Sequence, residues 1–271
     1  MYVVTGVTGK LGRAAIEDLL NQVPASDVAA LARDPRKAAD LAERGVDVRQ
    51  GDYEDLASLK AAFTGADVLL FVSSPDVTPG ARPRQHSNVI DAAVAANVGR
   101  VVYTSAIGAE DGPGFLADHT VTEKLLRDSA LTYTLLRNTF YTDVFVNPGL
   151  SAAIEAGELL GADGGQPIAS ATIADLALAA SLVVSGDGHA GKVYELRGRP
   201  WTWAELAQAL GEVSGKPVAY RAVPVEDLGP AGFVHPLIAS GLFAEPVDDL
   251  EKLIGRAPTG LREVVEATLR S

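Results

Sequence analysis

Two hydrophobic rhythms alternate through the first half of the chain. Short apolar runs rich in β-branched residues, YVVT (2–5), VAALA (28–32), VDVRQ (46–50), DVLLFVS (67–73), RVVYTS (100–105) and TYTLLR (132–137), have the length and composition of strands. The segments between them, LGRAAIEDLLNQ (11–22), PRKAADLAERG (35–45), DLASLKAAFTG (55–65), RQHSNVIDAAVAANV (84–98) and DHTVTEKLLRDS (118–129), predict helices. In the first helix Leu11, Ala15, Leu19 and Leu20 share one face. Gly45 and Gly65 stand where helix C-caps belong. Regular alternation of strand and helix predicts right-handed crossovers and a parallel sheet covered on both faces. The fold class is therefore α/β, a Rossmann-type doubly wound sheet.

The second half is less regular. GKVYELRG (191–198) reads as a strand, WTWAELAQALGEVSG (201–215) as a helix closed by Gly215, and KPVAYRAV (216–223) as strand-like, with helices around DDLEKLIG and LREVVEATLR. The expected organisation is an NAD(P)-binding domain over residues 1–140, with 172–196 returning to it. A small C-terminal α/β substrate or lid domain is expected over 197–271, with 141–171 contributing.

Composition narrows the function. The formal net charge of −12 repels phosphate backbones and argues against nucleic-acid binding. With no cysteine there are no disulfides, thiolate metal sites or thiol nucleophiles. His86, His119, His189 and His235 are scattered without metal-ligand spacing, so no metal is expected. The apolar run LALAASLVV is far shorter than the ~18 residues of a membrane span. Met1 leads directly into the first strand with no signal-like segment, and a cytoplasmic protein is expected.

The sharpest motif is Thr5-Gly6-Val7-Thr8-Gly9-Lys10-Leu11-Gly12, between the first strand and the first helix. Gly6 permits the tight turn, Gly9 leaves room for a pyrophosphate at the backbone, and Gly12 allows close helix–sheet packing. The N–H groups of Thr8, Gly9, Lys10 and Leu11 then face an anion at the helix N-terminus. After the second strand come Arg33-Asp34-Pro35-Arg36-Lys37. An NAD site places a carboxylate at this tip, whereas Arg33, with Arg36 and Lys37 on the next turn, suits a 2′-phosphate. NADPH is the expected cofactor, with NADH the alternative that Asp34 leaves open. Asp52, Ser73, Ser74, Thr104 and Ser105 follow other strands at the same end of the sheet, as ligand contacts or as turn caps. His119 lies four residues before Glu123, which suggests a helix-start interaction.

VTGVTGKLG, LARDPRKA, LLFVSSP, VVYTSAIGA, LLRNTFYTDVFVN and WTWAELAQALGEVSGK resemble, in this order, the atypical short-chain dehydrogenase/reductase family of NmrA-like type. The sequence is most similar to its NAD(P)H:quinone oxidoreductase type 2 and triphenylmethane reductase branch. The resemblance implies that Gly6 to Gly12 hold the pyrophosphate, Arg33 the 2′-phosphate, and Ser73 and Ser74 the ribose side. It also implies that Arg137, Asn138, Thr139, Phe140, Tyr141 and Thr142 run along the nicotinamide. Two departures stand out. Thr120 occupies the proton-donor tyrosine position of other branches, with Lys124 retained. Thr172-Ile173-Ala174-Asp175 lacks an arginine that relatives often carry there.

An alcohol dehydrogenase needs a tuned base near neutral pH. A quinone accepts hydride readily and its reduced anion is delocalised, so positioning suffices. Lys124, Tyr141 and Asn138 are the candidate catalytic residues, with Phe140, Tyr141 and Phe145 as a stacking surface for a flat acceptor. Phe145 serves equally as core, and Trp201 and Trp203 read as core. Phe233 and Phe243 are candidates to close the substrate pocket. The expected activity is NADPH-dependent reduction of quinones or similar conjugated aromatics. The alternatives are a non-catalytic NADP(H)-sensing regulator and a reductase of triarylmethane or azo dyes or aryl ethers. A homodimer is expected from the prevalence of two-fold assemblies.

Overall fold

The chain was studied as a computed structural model, which describes residues 1–110 and 112–270. Strand and helix alternate as β1 (Tyr2–Val4), α1 (Lys10–Leu20), β2 (Val28–Ala32), α2 (Ala39–Glu43), β3 (Asp47–Gln50), α3 (Leu56–Ala62), β4 (Val68–Phe71), α4 (Ala81–Ala95), β5 (Arg100–Ala106), α5 (Phe115–Asp128) and β6 (Thr132–Asn138). There follow α6 (Thr142–Phe145), α7 (Ser151–Ala156), β7 (Glu158–Gly161), α8 (Ile173–Ser185), β8 (Val193–Leu196), α9 (Trp203–Ser214), β9 (Ala219–Ala222), α10 (His235–Ala239), α11 (Asp249–Ile254) and α12 (Leu261–Arg270). The chain divides into two compact units, Met1–Asn138 with Leu176–Glu195, and Thr139–Asp175 with Leu196–Ser271.

The large sheet has seven strands among the described residues, in the order β3-β2-β1-β4-β5-β6-β8. It is parallel, with Val3 opposite Ala29 on one side and Leu69 on the other. The order reverses between β1 and β4, and ligands of doubly wound sheets bind beyond the carboxyl ends of the strands at that switch point. Val3, Leu69, Val101 and Leu135 from the strands pack with Leu59, Phe63 and Val89 from α3 and its C-cap and α4, all buried. Each such side chain contributes about 1.5–3 kcal/mol on burial. The same sheet core thus fixes where the strand ends stand.

In the second unit β7 and β9 pair in parallel, with Leu159 opposite Tyr220. A capping box of Thr202 and Glu205 starts α9. The buried carboxylate of Asp175 accepts from Arg256 Nη2 at 2.5 Å and from the Thr259 N–H at 2.7 Å. No helix among the described residues is long and apolar enough to cross a membrane.

The local pattern misplaces several elements. Residues 35–45 do not form one helix. A 3-10 turn at Pro35–Ala38 is capped by Asp34, and Ala38 (φ −127°, ψ 22°) breaks the path into α2. The fourth helix starts at Ala81 and the fifth at Phe115, ahead of 84 and 118. The run LALAASLVV belongs to α8, a helix buried on most sides, whose apolar surround hides its 3.6 period. β7, ELLG, lacks β-branched residues and exists through its pairing with β9.

Candidate functional site

The site begins at the turn between β1 and α1. Gly6 has φ +67° and faces the side chain of Val72 on the β4 exit. A Cβ there would lie 3.0 Å from Val72 Cβ. The turn closes with the Gly9 N–H donating to Gly6 O at 2.9 Å. A Cβ on Gly12 would stand 2.4 Å from Gly6 O, so the helix sits on the turn as closely as its backbone allows. A Cβ on Gly9 would meet only Gly6 O, at 3.4 Å, and would otherwise fill open space. Gly9 is the N-cap of α1, with no side-chain cap, and the first turn carries no acid. Thr8, Gly9 and Lys10 are exposed. The Lys10, Leu11 and Gly12 N–H groups, with no protein acceptor among the described residues, a cradle that a Cβ would fill and no acid in the first turn fit a phosphate group.

The tip of β2 supplies the charge. Arg33 is exposed, and its guanidinium has no partner among the described residues. Lys37 is exposed as well. Asp34 is engaged locally: its Oδ1 accepts from the Arg36 N–H at 3.2 Å and from Arg36 Nε at 2.9 Å. The Arg36 guanidinium holds the Asp34 carboxyl below its ordinary range. The one carboxylate that argued for an unphosphorylated ribose is thus neutralised in place, leaving Arg33 as the available group.

The exits of β4 and β5 are tied together. Tyr53, a residue that the sequence pattern did not single out, donates from its hydroxyl within 2.6 Å of Thr5 Oγ1 and 2.7 Å of Val72 O. The Val72 N–H donates to Thr5 Oγ1 at 2.9 Å, and the Ser73 N–H to Thr104 Oγ1 at 2.8 Å. Asp52 Oδ1 accepts from the Glu54 N–H at 3.0 Å and so closes its own turn. Ser74 is buried rather than lining an open crevice: its hydroxyl bonds Gln85, and its carbonyl accepts from Arg82 Nε at 2.9 Å.

Helix α5 turns a different face inward from the one expected. Burial of Leu116, His119, Thr122, Glu123 and Leu126 leaves Lys124 outside. Lys124, expected near the reacting end, pairs with Asp128 at 2.6 Å with its side chain 73% exposed. Successive helical residues are ~100° apart, so a buried Glu123 turns Lys124 toward water. Glu123 Oε1 accepts from Ser105 Oγ at 2.6 Å and Arg137 Nε at 3.0 Å, and Oε2 accepts from Arg137 Nη2 at 2.8 Å and Arg127 Nη2 at 2.7 Å. Burial alone would raise the Glu123 pKa, but Arg137 and Ser105 outweigh it and hold the carboxyl below its ordinary value. Arg137 also meets Glu110 at 2.9 Å. Its guanidinium, expected beside a cofactor, is occupied by carboxylates. His119 is not a helix-start surface group. It is buried, its Nδ1 lies 2.7 Å from the Tyr103 hydroxyl, and burial pushes its pKa down to about 4.

At the end of β6 and just after it, Asn138 Oδ1 and Thr139 Oγ1 are buried with no hydrogen-bond partner among the described residues. An unpaired buried polar atom costs about 1–3 kcal/mol, a penalty that a donor on a ligand would remove. In the second unit Phe140 packs on Phe145 (6.0 Å between ring centroids) and Phe243 (4.7 Å), and Phe145 reaches Trp203 at 5.4 Å. Trp201 Nε1 donates to Ser170 Oγ at 2.8 Å. Tyr141 is half-buried and bridges to Ala171. Phe233 is 68% exposed while Phe243 is buried.

Residues 6–182 match the model of a family described as NAD(P)H-binding. The chain belongs to the NAD(P)H-binding family. It is 45% identical to Quinone oxidoreductase 2 of Escherichia coli (strain K12), over 98% of this chain and 97% of that protein. Its fold matches the Citrobacter sp. triphenylmethane reductase solved with NADP(H), with TM-score 0.93 and 41% identity over 99% and 100% of the two chains. It also matches an NADPH-dependent quinone oxidoreductase from Escherichia coli solved with NADPH, with TM-score 0.91 and 43% identity over the whole of both chains. The three glycines of the turn, β2 to β6 and part of α8 fall inside the matched family region.

Proposed function

We propose that this protein is an NADPH-dependent reductase that delivers hydride to quinones or similar conjugated aromatic acceptors. The observation that carries the cofactor half is the pairing at the β2 tip. Arg33 has no side-chain partner among the described residues, α1 opens on an uncapped, acid-free N-terminus, and Asp34 is held by Arg36. Thr8, Lys10, Leu11 and Gly12 offer backbone N–H groups to the pyrophosphate, Gly6 and Gly9 shape the turn that receives it, and Arg33 and Lys37 bind the 2′-phosphate. Asn138 and Thr139 offer their unpartnered oxygens to the nicotinamide end. NADPH, when bound, supplies the hydride.

The acceptor half rests on the relatives and on what the chain lacks. Thr120 donates to the Leu116 carbonyl, Ser105 is bonded to Glu123, and Lys124 faces water. None of these groups is set to take a proton from an alcohol, whereas a quinone needs none removed. The aromatic surface of Phe140, Tyr141 and Phe145 orients a flat acceptor, and the Tyr141 hydroxyl or solvent provides the proton to the reduced oxygen. Triarylmethane dyes are a second substrate class, favoured by the fold match to a triphenylmethane reductase. The acceptor is in either case a small molecule.

Arg33→Ala tests the cofactor assignment. The KM for NADPH is expected to rise by roughly 10- to 100-fold, the loss of one charge-assisted phosphate contact, with that for NADH nearly unchanged. An unaltered NADPH/NADH preference would show that Arg33 does not read the 2′-phosphate.

A further inference from the structure

A second polar assembly lies buried beneath the carboxyl ends of β4 and β5. The Ser74 N–H donates to His86 Nε2 at 2.9 Å, so Nε2 bears the lone pair and the ring proton sits on Nδ1. His86 Nδ1 then donates to Thr122 Oγ1 at 2.8 Å, and Thr122 passes its own proton to the Asp118 carbonyl at 2.8 Å. The Tyr103 hydroxyl is 3.4 Å from His86 Nδ1, already a donor, and 2.7 Å from His119 Nδ1. The Tyr103 hydroxyl and His119 Nδ1 share one hydrogen bond, and the Ser74 N–H fixes the tautomer of His86.

His86 is fully buried, and the groups that face it are few. From β4 and its exit come Phe71, edge-on at 4.8 Å between centroids, and Ser74. From β5 comes Tyr103, and from α5 Asp118, His119 and Thr122, with Glu123 beyond His119. Arg82 and Gln85 lie on its own helix, and Arg82 is 3.6 Å from Asp118. Burial, His119 and Arg82 all disfavour a second proton on the ring.

The segment that His86 grips also borders the glycine turn. Val72, two residues before Ser74, abuts Gly6, and its peptide groups are held by Thr5 and Tyr53. We propose that His86 is a positioning residue for dinucleotide binding: by accepting the Ser74 N–H it holds the β4 exit against the glycine turn, and a proton on Nε2 releases that segment and weakens binding. The proposal rests on the dinucleotide reading of that turn. A proton taken from solvent by Nε2 occupies the lone pair that Ser74 uses, leaving two N–H groups face to face. Protonation of His119 has no such effect, because the Tyr103 oxygen can accept from it.

Three variants separate this role from packing. Glutamine places an amide oxygen near the position of Nε2, asparagine places its amide near Nδ1, and leucine offers neither. The Kd for NADPH, measured by fluorescence titration on the full chain at neutral pH, is expected to stay near wild type in His86→Gln. It is expected to weaken about tenfold in His86→Asn and His86→Leu, with kcat little changed. On acidification through the lowered His86 pKa the wild-type Kd rises more steeply than that of His86→Gln, whose amide does not titrate. The 2′-phosphate, with its pKa of about 6, titrates in both proteins and cancels in the comparison. Equal weakening in Gln and Asn, or identical pH dependence in wild type and Gln, overturns the proposal. Should a variant not fold, amide exchange of Ser74 in the wild type decides. Protection that falls selectively at low pH supports the clamp, and protection unchanged with pH overturns it. A wild-type protein that binds no NADPH at neutral pH overturns the dinucleotide reading itself, and the clamp's role in binding with it.

Discussion

Glu123→Ala is expected to lower the unfolding free energy by about 3–5 kcal/mol, the range for breaking a buried ion pair from one side. Glu123 is wholly buried and receives four hydrogen bonds, from Ser105, Arg137 twice and Arg127. Alanine leaves the Arg137 guanidinium, itself 6% exposed, with Glu110, whose side chain is largely in water, and with Glu195 at 3.9 Å. It also leaves the Ser105 hydroxyl without its acceptor. Glu123→Gln keeps the shape and some of the hydrogen bonds but not the charge, and falls between wild type and alanine. Denaturant unfolding at pH 7 measures all three. The sign with pH follows from the depressed pKa: the ionised carboxylate stabilises the fold above its unfolded value of about 4.5, and that contribution is lost as pH falls through the lower folded value. The acid limb of the wild-type stability curve should therefore shrink in Glu123→Gln. An alanine variant as stable as wild type would mean that Arg137 finds equivalent partners and the cluster is not under constraint.

The second large effect is on binding, and it comes from two glycines three residues apart. Gly9→Ala and Gly12→Ala each add one methyl group to the same turn. At Gly12 the methyl would be 2.4 Å from Gly6 O, 2.6 Å from Gly6 C and 2.8 Å from Thr5 O, all backbone atoms. To restore ordinary contact α1 must back away by about 1 Å, carrying its N-terminal N–H groups out of register with the phosphate and costing about 1–3 kcal/mol of stability. At Gly9 the methyl has only Gly6 O at 3.4 Å and otherwise enters the space in front of the helix. The fold is therefore expected to tolerate Gly9→Ala with little change in Tm. NADPH affinity should still fall by at least about tenfold, because the methyl stands where the pyrophosphate must approach the backbone. Gly12→Ala should lose both stability and affinity. Calorimetric binding alongside thermal unfolding separates the two. Undiminished NADPH affinity in Gly9→Ala would place the pyrophosphate elsewhere.

Much of the first unit was legible in the sequence because its signals are local. The six runs from YVVT to TYTLLR lie on β1 to β6, and the glycine turn sits between β1 and α1. Burial on both faces makes such strands continuous apolar runs, which a short window detects. Where partners are distant the pattern is weaker. ELLG becomes a strand through Ala219–Ala222, some sixty residues on. The polar interior of α5 was misread for another reason. The four-residue spacing of His119 and Glu123 suggests a helix-start pair, while Leu116 and Leu126 mark the inward face on which both fall at helical spacing. Read with those leucines, His119 belongs inside and Lys124 outside. Tyr53 carried no local signal, since its role arises from Thr5 and Val72 meeting across the sheet. The sequence leaves Asp34 open between a cap and a ribose contact, and in the structure it caps the turn at Pro35–Ala38 and pairs with Arg36.

Steady-state oxidation of NADPH, followed at its absorbance maximum with a panel of benzoquinones, naphthoquinones and triarylmethane dyes, tests the central claim most directly. NADPH consumption that depends on at least one of these acceptors, with reduced product in equal amount and NADH clearly inferior, is the predicted result. Tight NADPH binding with no turnover on any acceptor would contradict the reductase assignment.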